Sequence, residues 1–189
     1  MKFEERLRLL NLDSRLRRTR ILLLRDYNSL PMPGGVMSVR KGDEIEVPRW
    51  EAEFLKERGI AEIKEEGIDI DYINNYHFRE KRNSAPNQLT SLPQDFYLKI
   101  RSFIKKLDEA ISKSPSHMLI NDREAAEKNF LELSDVRLIK IIRLSQTDGD
   151  ELKDRMTPEE LLLYTTMKEI VKSWKEYVQS LIKGGGEAL

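Results

Sequence analysis

The chain has no cysteine among its 189 residues, which excludes disulfide scaffolds, thiolate zinc sites and cysteine nucleophiles. It has two histidines, His77 and His117, too few and too far apart to suggest histidine-based metal or triad chemistry. No apolar run approaches the roughly 18 residues of a membrane span. The opening MKFEERLRLL has no apolar core of a secretory leader, so the expected location is the cytoplasm. An excess of one charge is also missing: 33 Lys and Arg stand against 33 Asp and Glu, and no global field drives nucleic-acid binding. No phosphate-cradling loop is present either, because Pro33-Gly34-Gly35 lacks both the lysine and the following helix. The acid pairs Asp69/Asp71 and Glu159/Glu160 sit where helix starts want negative charge, and Asp148/Asp150 lies in an expected loop. No catalytic residue, cofactor or metal site is expected. The absences point to an interaction protein rather than an enzyme.

What is there is charge and helical periodicity. Hydrophobic residues make up 39% and charged residues 35%, with a mean hydropathy of −0.58. Residues 1–19 read as a basic N-terminal arm, in which Leu7, Leu9, Leu10 and Leu12 allow either a short helix or a frayed end. From Met1 to Arg25 eight basic residues face three acids, a local excess of five. Residues 20–66 read as a small β-rich domain. Ile21–Leu24, Val36–Val39, Ile45–Val47 and Ile60–Ile63 suit strands, and the Pro31-to-Gly35 cluster predicts a loop. Trp50–Arg58 has helical spacing, and Gly59 stands where a helix C-cap belongs.

Residues 67–183 read as a mainly α-helical bundle domain, and 184–189 as a flexible tail. The fold class is therefore α+β, with a small N-terminal β-rich domain before a helical bundle. Ile68–Phe78 carries a first helix. Ser91 and Gln94 have capping-box spacing ahead of a second, whose stripe is Phe96, Ile100, Phe103, Ile104, Leu107 and Ile111. A third runs from near Asp122 to Gln146, and its second half is apolar on more than one face, which predicts burial. The last begins at Thr157-Pro158-Glu159-Glu160, an N-cap, an N1 proline and a capping box. Its stripe is Leu163, Met167, Ile170, Val171, Trp174, Val178 and Leu181, with Tyr177 at the margin, so truncating Trp174 is expected to cost folding stability and truncating Tyr177 association.

Three sets of candidate residues follow. Aromatic stripes this long exceed what a thin bundle must bury on itself, so Phe96, Tyr97, Phe103, Trp174 and Tyr177 are candidates for a subunit interface. Arg137 and Lys140, in an otherwise apolar helix, are expected to pair with acids across that interface. Trp50 and Phe54 are candidates for docking a partner on the β-rich domain. Arg17, Arg18 and Arg20 with Arg79, Lys81 and Arg82 form a candidate nucleic-acid contact, the last three beside Tyr76 and Phe78. The alternative to a protein scaffold is thus a nucleic-acid-binding adaptor using the basic N-terminus and Tyr76–Arg82.

Several segments in a fixed order resemble one family. Leu92-Pro93-Gln94-Asp95-Phe96-Tyr97-Leu98-Lys99-Ile100 opens a long helix. Arg137-Leu138-Ile139-Lys140-Ile141-Ile142-Arg143-Leu144 precedes Met156-Thr157-Pro158-Glu159-Glu160-Leu161-Leu162-Leu163-Tyr164. Ahead of them stand Lys41-Gly42-Asp43-Glu44-Ile45-Glu46-Val47-Pro48, Trp50–Gly59 and Ile60–Ile63. Over about residues 20 to 183 the chain resembles the GINS family of replication factors, with a helical A domain and a small B domain. The B-first order resembles the archaeal subunit of the Psf-two and Psf-three type, whereas Asp95-Phe96-Tyr97 is more similar to the other archaeal subunit. The resemblance implies a non-catalytic subunit, joined to the other GINS subunit in a two-plus-two heterotetramer. It implies partners in the MCM helicase and a RecJ-like protein at the replication fork near the nucleoid, with weak or indirect DNA contact and no membrane.

Overall fold

In the computed structural model, residues 1–32, 35–64, 68–83, 85, 88–147 and 150–182 are described. The chain divides into two compact units, Met1–Gly67 and Ile68–Leu189.

The first unit holds helix α1 (Phe3–Leu16), strands β1 (Arg18–Leu23), β2 (Tyr27–Met32), β3 (Gly35–Val39) and β4 (Glu44–Pro48), helix α2 (Arg49–Glu57) and strand β5 (Ala61–Ile63). Alternation puts Ile21 and Leu23 of β1 on one face, with Val47 of β4 and Ala61 of β5 beside them in an antiparallel sheet of order β4-β1-β5. Helix α2 buries Ala52 and Leu55 in the same core. Just past its Arg58 cap, Gly59 has a φ of +65° and donates its N–H to the Lys56 carbonyl at 2.9 Å. The N-terminal arm is helical in α1, and the Arg17 carbonyl that follows accepts from the Arg49 N–H at 2.9 Å.

One strand differs from expectation. Pro31 and Met32 belong to β2, which pairs with β3 as a two-stranded antiparallel ribbon, Pro31 opposite Val36. Each strand of such a ribbon has an unpaired edge, where the N–H that proline lacks is not needed for the ladder. Pro33-Gly34, the rest of the expected loop, lies outside the described residues.

The second unit holds α3 (Ile70–Arg82), α4 (Phe96–Lys113), α5 (His117–Ser145), a 3-10 turn (Asp150–Arg155) and α6 (Pro158–Ile182). Asp69 caps α3 by accepting from the Tyr72 N–H at 2.9 Å. Between α3, α4 and α5 lies a core of Ile73, Leu92, Phe96, Ile100, Ala126 and Leu133. Tyr76 meets the Phe96 ring edge-on at 5.2 Å, and Tyr97 meets Phe130 at 5.8 Å. A second cluster joins Leu89, Ile141, Leu144, Leu152, Met156 and Tyr164.

Three helix expectations need correction. Ser91 does not cap α4: the helix starts at Phe96, and Gln94 instead donates to the Met156 carbonyl at 3.3 Å. The segment before it is irregular, turning at Gln94 and Asp95, and buries Leu89 and Leu92. Helix α5 starts at His117, well before Asp122, since Ser116 accepts from the Leu119 N–H at 3.2 Å. Its first turns expose Met118 and Ile120, so no inward stripe announces them. Later on α5, Leu138 and Ile139 are exposed rather than buried, because neighbours within the unit cover only the Ile141–Leu144 side. The expected tail at 184–189 and the 148–149 part of the expected loop lie outside the described residues, whereas Asp150 opens the 3-10 turn.

Candidate functional site

Arg137 sits midway along α5, 1% exposed, and every one of its five N–H donors has an acceptor. Its Nε and Nη2 grip both carboxylate oxygens of Glu160 at 2.6 and 2.7 Å. Nη1 reaches Glu80 Oε2 at 3.0 Å and the Thr90 carbonyl at 2.8 Å, and Nη2 the Arg155 carbonyl at 3.1 Å. One turn on, Lys140 Nζ donates to Glu80 Oε1 at 2.5 Å and to the carbonyls of Asn83 and Gln88 at 2.6 and 3.1 Å. Two cations and two carboxylates thus balance where all four are buried, which is the condition for burying such groups.

The electrostatics follow from that balance. Burial alone would push the Glu80 carboxyl up, but Lys140, Arg137 and the Thr90 N–H together hold it below its ordinary value. Burial pushes the Tyr97 hydroxyl far above its usual range, and the Glu160 carboxylate it donates to at 3.1 Å pushes the same way. With Glu80 and Arg137 each 1% exposed, no solute reaches these groups. The network joins α3, the residues after it, α4, α5, the 3-10 turn and α6; it is a brace, not a reaction centre.

The acids that Arg137 and Lys140 pair with come from this chain rather than from across an interface, and both side chains are buried within it. Phe96 is likewise core. Tyr97 and Phe103 are half-buried against the α3–α4–α5 core. Trp174 and Tyr177 are the opposite case, 64% and 53% exposed, with ring centroids 5.9 Å apart. The expectation that Trp174 is core of this chain fails, because α6 runs past its last packing partners. Ile170, Val178 and Leu181 of the same stripe are exposed with it.

The base of α6 is well anchored. Thr157 and Glu160 exchange capping-box bonds at 3.1 and 3.3 Å. Asp150 accepts from the Tyr164 hydroxyl and from Lys168, both at 2.7 Å, and these contacts with Lys153 hold its carboxyl far below the usual range. The helix is thus fixed at one end and bare at the other.

In the first unit Trp50 and Phe54 both face outward on α2, and Arg58 stacks over the Phe54 ring at 4.2 Å. Of the six basic candidates, Arg17 lies 3.8 Å from Asp13, Arg20 lies 3.3 Å from Glu46 and Lys81 lies 2.6 Å from Glu132. Arg82 stacks over Phe78 at 5.6 Å, and Arg18 and Arg79 are exposed. The basic set is split between the two units, and half of it already faces an acid of its own unit. Among the described residues no group of three or more His, Cys, Asp or Glu is placed to hold a metal ion, and no helix is long and apolar enough to cross a membrane.

Glu80 and Asp150 were not singled out by the residue pattern as partners. A basic pair inside an apolar helix was the available signal, since it demands buried acids from somewhere in the chain.

A family model, Sld5, described as the GINS complex protein helical bundle domain, matches residues 67–179, more than half of the chain. Among curated proteins nothing matches.

Proposed function

Because the chain belongs to the GINS family, we propose that it is a non-catalytic structural subunit of the GINS complex, a scaffold of the helicase assembly at the DNA replication fork. It works in the cytoplasm at the nucleoid. Its partners on this reading are the other GINS subunit, in a two-plus-two tetramer, the MCM helicase and a RecJ-like protein. The strand-rich unit precedes the helical one, which favours the archaeal subunit type with the B domain first.

One observation carries the scaffold reading: α6 is braced at its base and presents Ile170, Trp174, Tyr177, Val178 and Leu181 to solvent. An apolar stripe of that length on a single helix is the mark of a surface that another chain covers. Trp50 and Phe54 offer a second, smaller contact for a replication partner. The native mass of the purified chain, alone and with a GINS partner subunit, tests this. A defined hetero-oligomer is expected, and a stable 22 kDa monomer that ignores the partner subunit overturns it. Against the nucleic-acid adaptor, the same samples should show no DNA binding that falls steeply with salt.

A further inference from the structure

Four of the five strands in the first unit are edges: β4 and β5 flank β1, and β2 and β3 have only each other. An edge carries N–H and C=O groups that no neighbour has taken, and proteins protect such edges with charge, proline, bulges or short length. Three of the four are protected. β4 carries Glu44 and Glu46 and ends on Pro48, and β5 has three residues with Glu62 among them. β2 carries Pro31, and between Tyr27 and Leu30 it takes an extra residue against β3.

β3 has none of these devices. Its sequence, Gly35-Val36-Met37-Ser38-Val39, holds no charge and no proline. It closes a run from Tyr27 to Val39, thirteen uncharged residues in a chain that is 35% charged. The strand also lies in the open: Val36 is 68% and Met37 46% exposed, and Val39 alone of the five residues is buried. Alternate residues of β3 turn their N–H and C=O away from β2, and among the described residues no further strand takes them.

We infer that the open edge of β3 takes an extended, uncharged segment of another chain as a third strand of the ribbon. Main-chain hydrogen bonds hold such a segment, and its alternate side chains, apolar beside Val36 and Met37, decide which one is accepted. A charged segment would give up hydration there with nothing on β3 to pair with. A second copy of this chain, edge to edge, brings five residues a side, far below the roughly 20–30 a side of a stable interface. A segment of a chain already held elsewhere needs no such area, because its second contact is intramolecular. In that respect the inference rests on the assembly reading above.

The test follows amide hydrogen exchange in the isotope-labelled full chain by NMR. The probe is a peptide of alternating Val and Thr, N-methylated at every second residue so that one edge pairs and the peptides cannot stack. At about 1 mM it is expected to slow the fast-exchanging amides of β3 about tenfold and to leave β4 and β5 unchanged. The same peptide N-methylated throughout should have no effect, and Val36→Lys, at a side chain already in solvent, should abolish the slowing. No slowing, equal slowing by both peptides, equal slowing at β4 or β5, or an unchanged response in Val36→Lys each overturns the inference. So does slowing that grows with protein concentration when no peptide is present, which would mean that copies pair with one another. A chain that joins a GINS partner subunit but shows no slowing keeps the assembly reading and loses this one. A chain that shows the slowing but joins no partner subunit loses the assembly reading, and the tethered occupant with it.

Discussion

Glu160 caps its own helix and clamps Arg137 with one carboxylate: its Oε2 accepts from the Thr157 N–H at 3.1 Å and from Arg137 Nη2 at 2.7 Å. A local device that starts α6 and a long-range one that holds α5 share an atom, so the direction of α6 is tied to the interior of the bundle. That coupling lets a helix project bare apolar residues from a fixed base.

Arg137→Met should be severely destabilising. It removes one partner of a buried pair and strands Glu160, a change that typically costs about 3–5 kcal/mol. Thermal unfolding of Arg137→Met, Glu160→Gln and the double variant measures the coupling. The double should be more stable than the sum of the single losses predicts, because neither charge is then left alone. Additive losses would mean that the two groups do not act as a pair.

Stability should fall in acid through Glu80. Its carboxyl titrates below the ordinary value of 4.5 in the folded state, so the folded state binds its proton less readily than the unfolded chain. The contribution is fully present above about pH 4.5 and is lost as pH drops through the lower folded value. Asp150, depressed by Lys168, Tyr164 and Lys153, adds to the same limb below its ordinary 3.8. Urea unfolding between neutral pH and pH 3 should show a decline that is shallower in Glu80→Gln, from a lower starting point. An identical slope in wild type and variant would rule Glu80 out as the source.

What could be read from the residues divides by distance along the chain. The start of α6 was legible because Thr157, Pro158 and Glu160 make a cap among themselves. Strand β1 was legible as the short apolar run Ile21–Leu24, and β4 from the alternation of Ile45 and Val47 with Glu44 and Glu46. The brace was not, since Glu80 stands 57 positions from Arg137 and 60 from Lys140, and no local spacing selects it from 33 acids. Strand β2 was hidden by Pro31. The folding penalty expected of truncating Trp174 does not fit its exposure, because periodicity says which residues share a face, not whether that face meets the same chain or another.

The division into two units predicts where a protease should cut. The split falls between Gly67 and Ile68, and linkers between units are preferred sites of nicking. Limited proteolysis at low protease concentration should release a helical fragment whose N-terminus lies between Lys64 and Asp71, identifiable by mass. Cleavage confined to the chain ends would mean that the junction is protected in the native protein.

Trp174 and Tyr177 should now behave alike rather than as core and rim. Both are more than half exposed, and neither supports the packing of its own unit. Substitutions at such positions usually change folding stability by less than about 0.5 kcal/mol. Trp174→Ala and Tyr177→Ala should therefore leave the melting temperature of the isolated subunit almost unchanged. Each should weaken binding to a GINS partner subunit, by about 2 kcal/mol or more where the aromatic is a hot spot. Leu152→Ala, inside the second core cluster, is the control with the reverse signature, since it opens a cavity and costs about 2–5 kcal/mol of folding stability. A large melting loss for Trp174→Ala would put the ring in a core of this chain. Unchanged melting with unchanged association would mean that the bare end of α6 is not a seam.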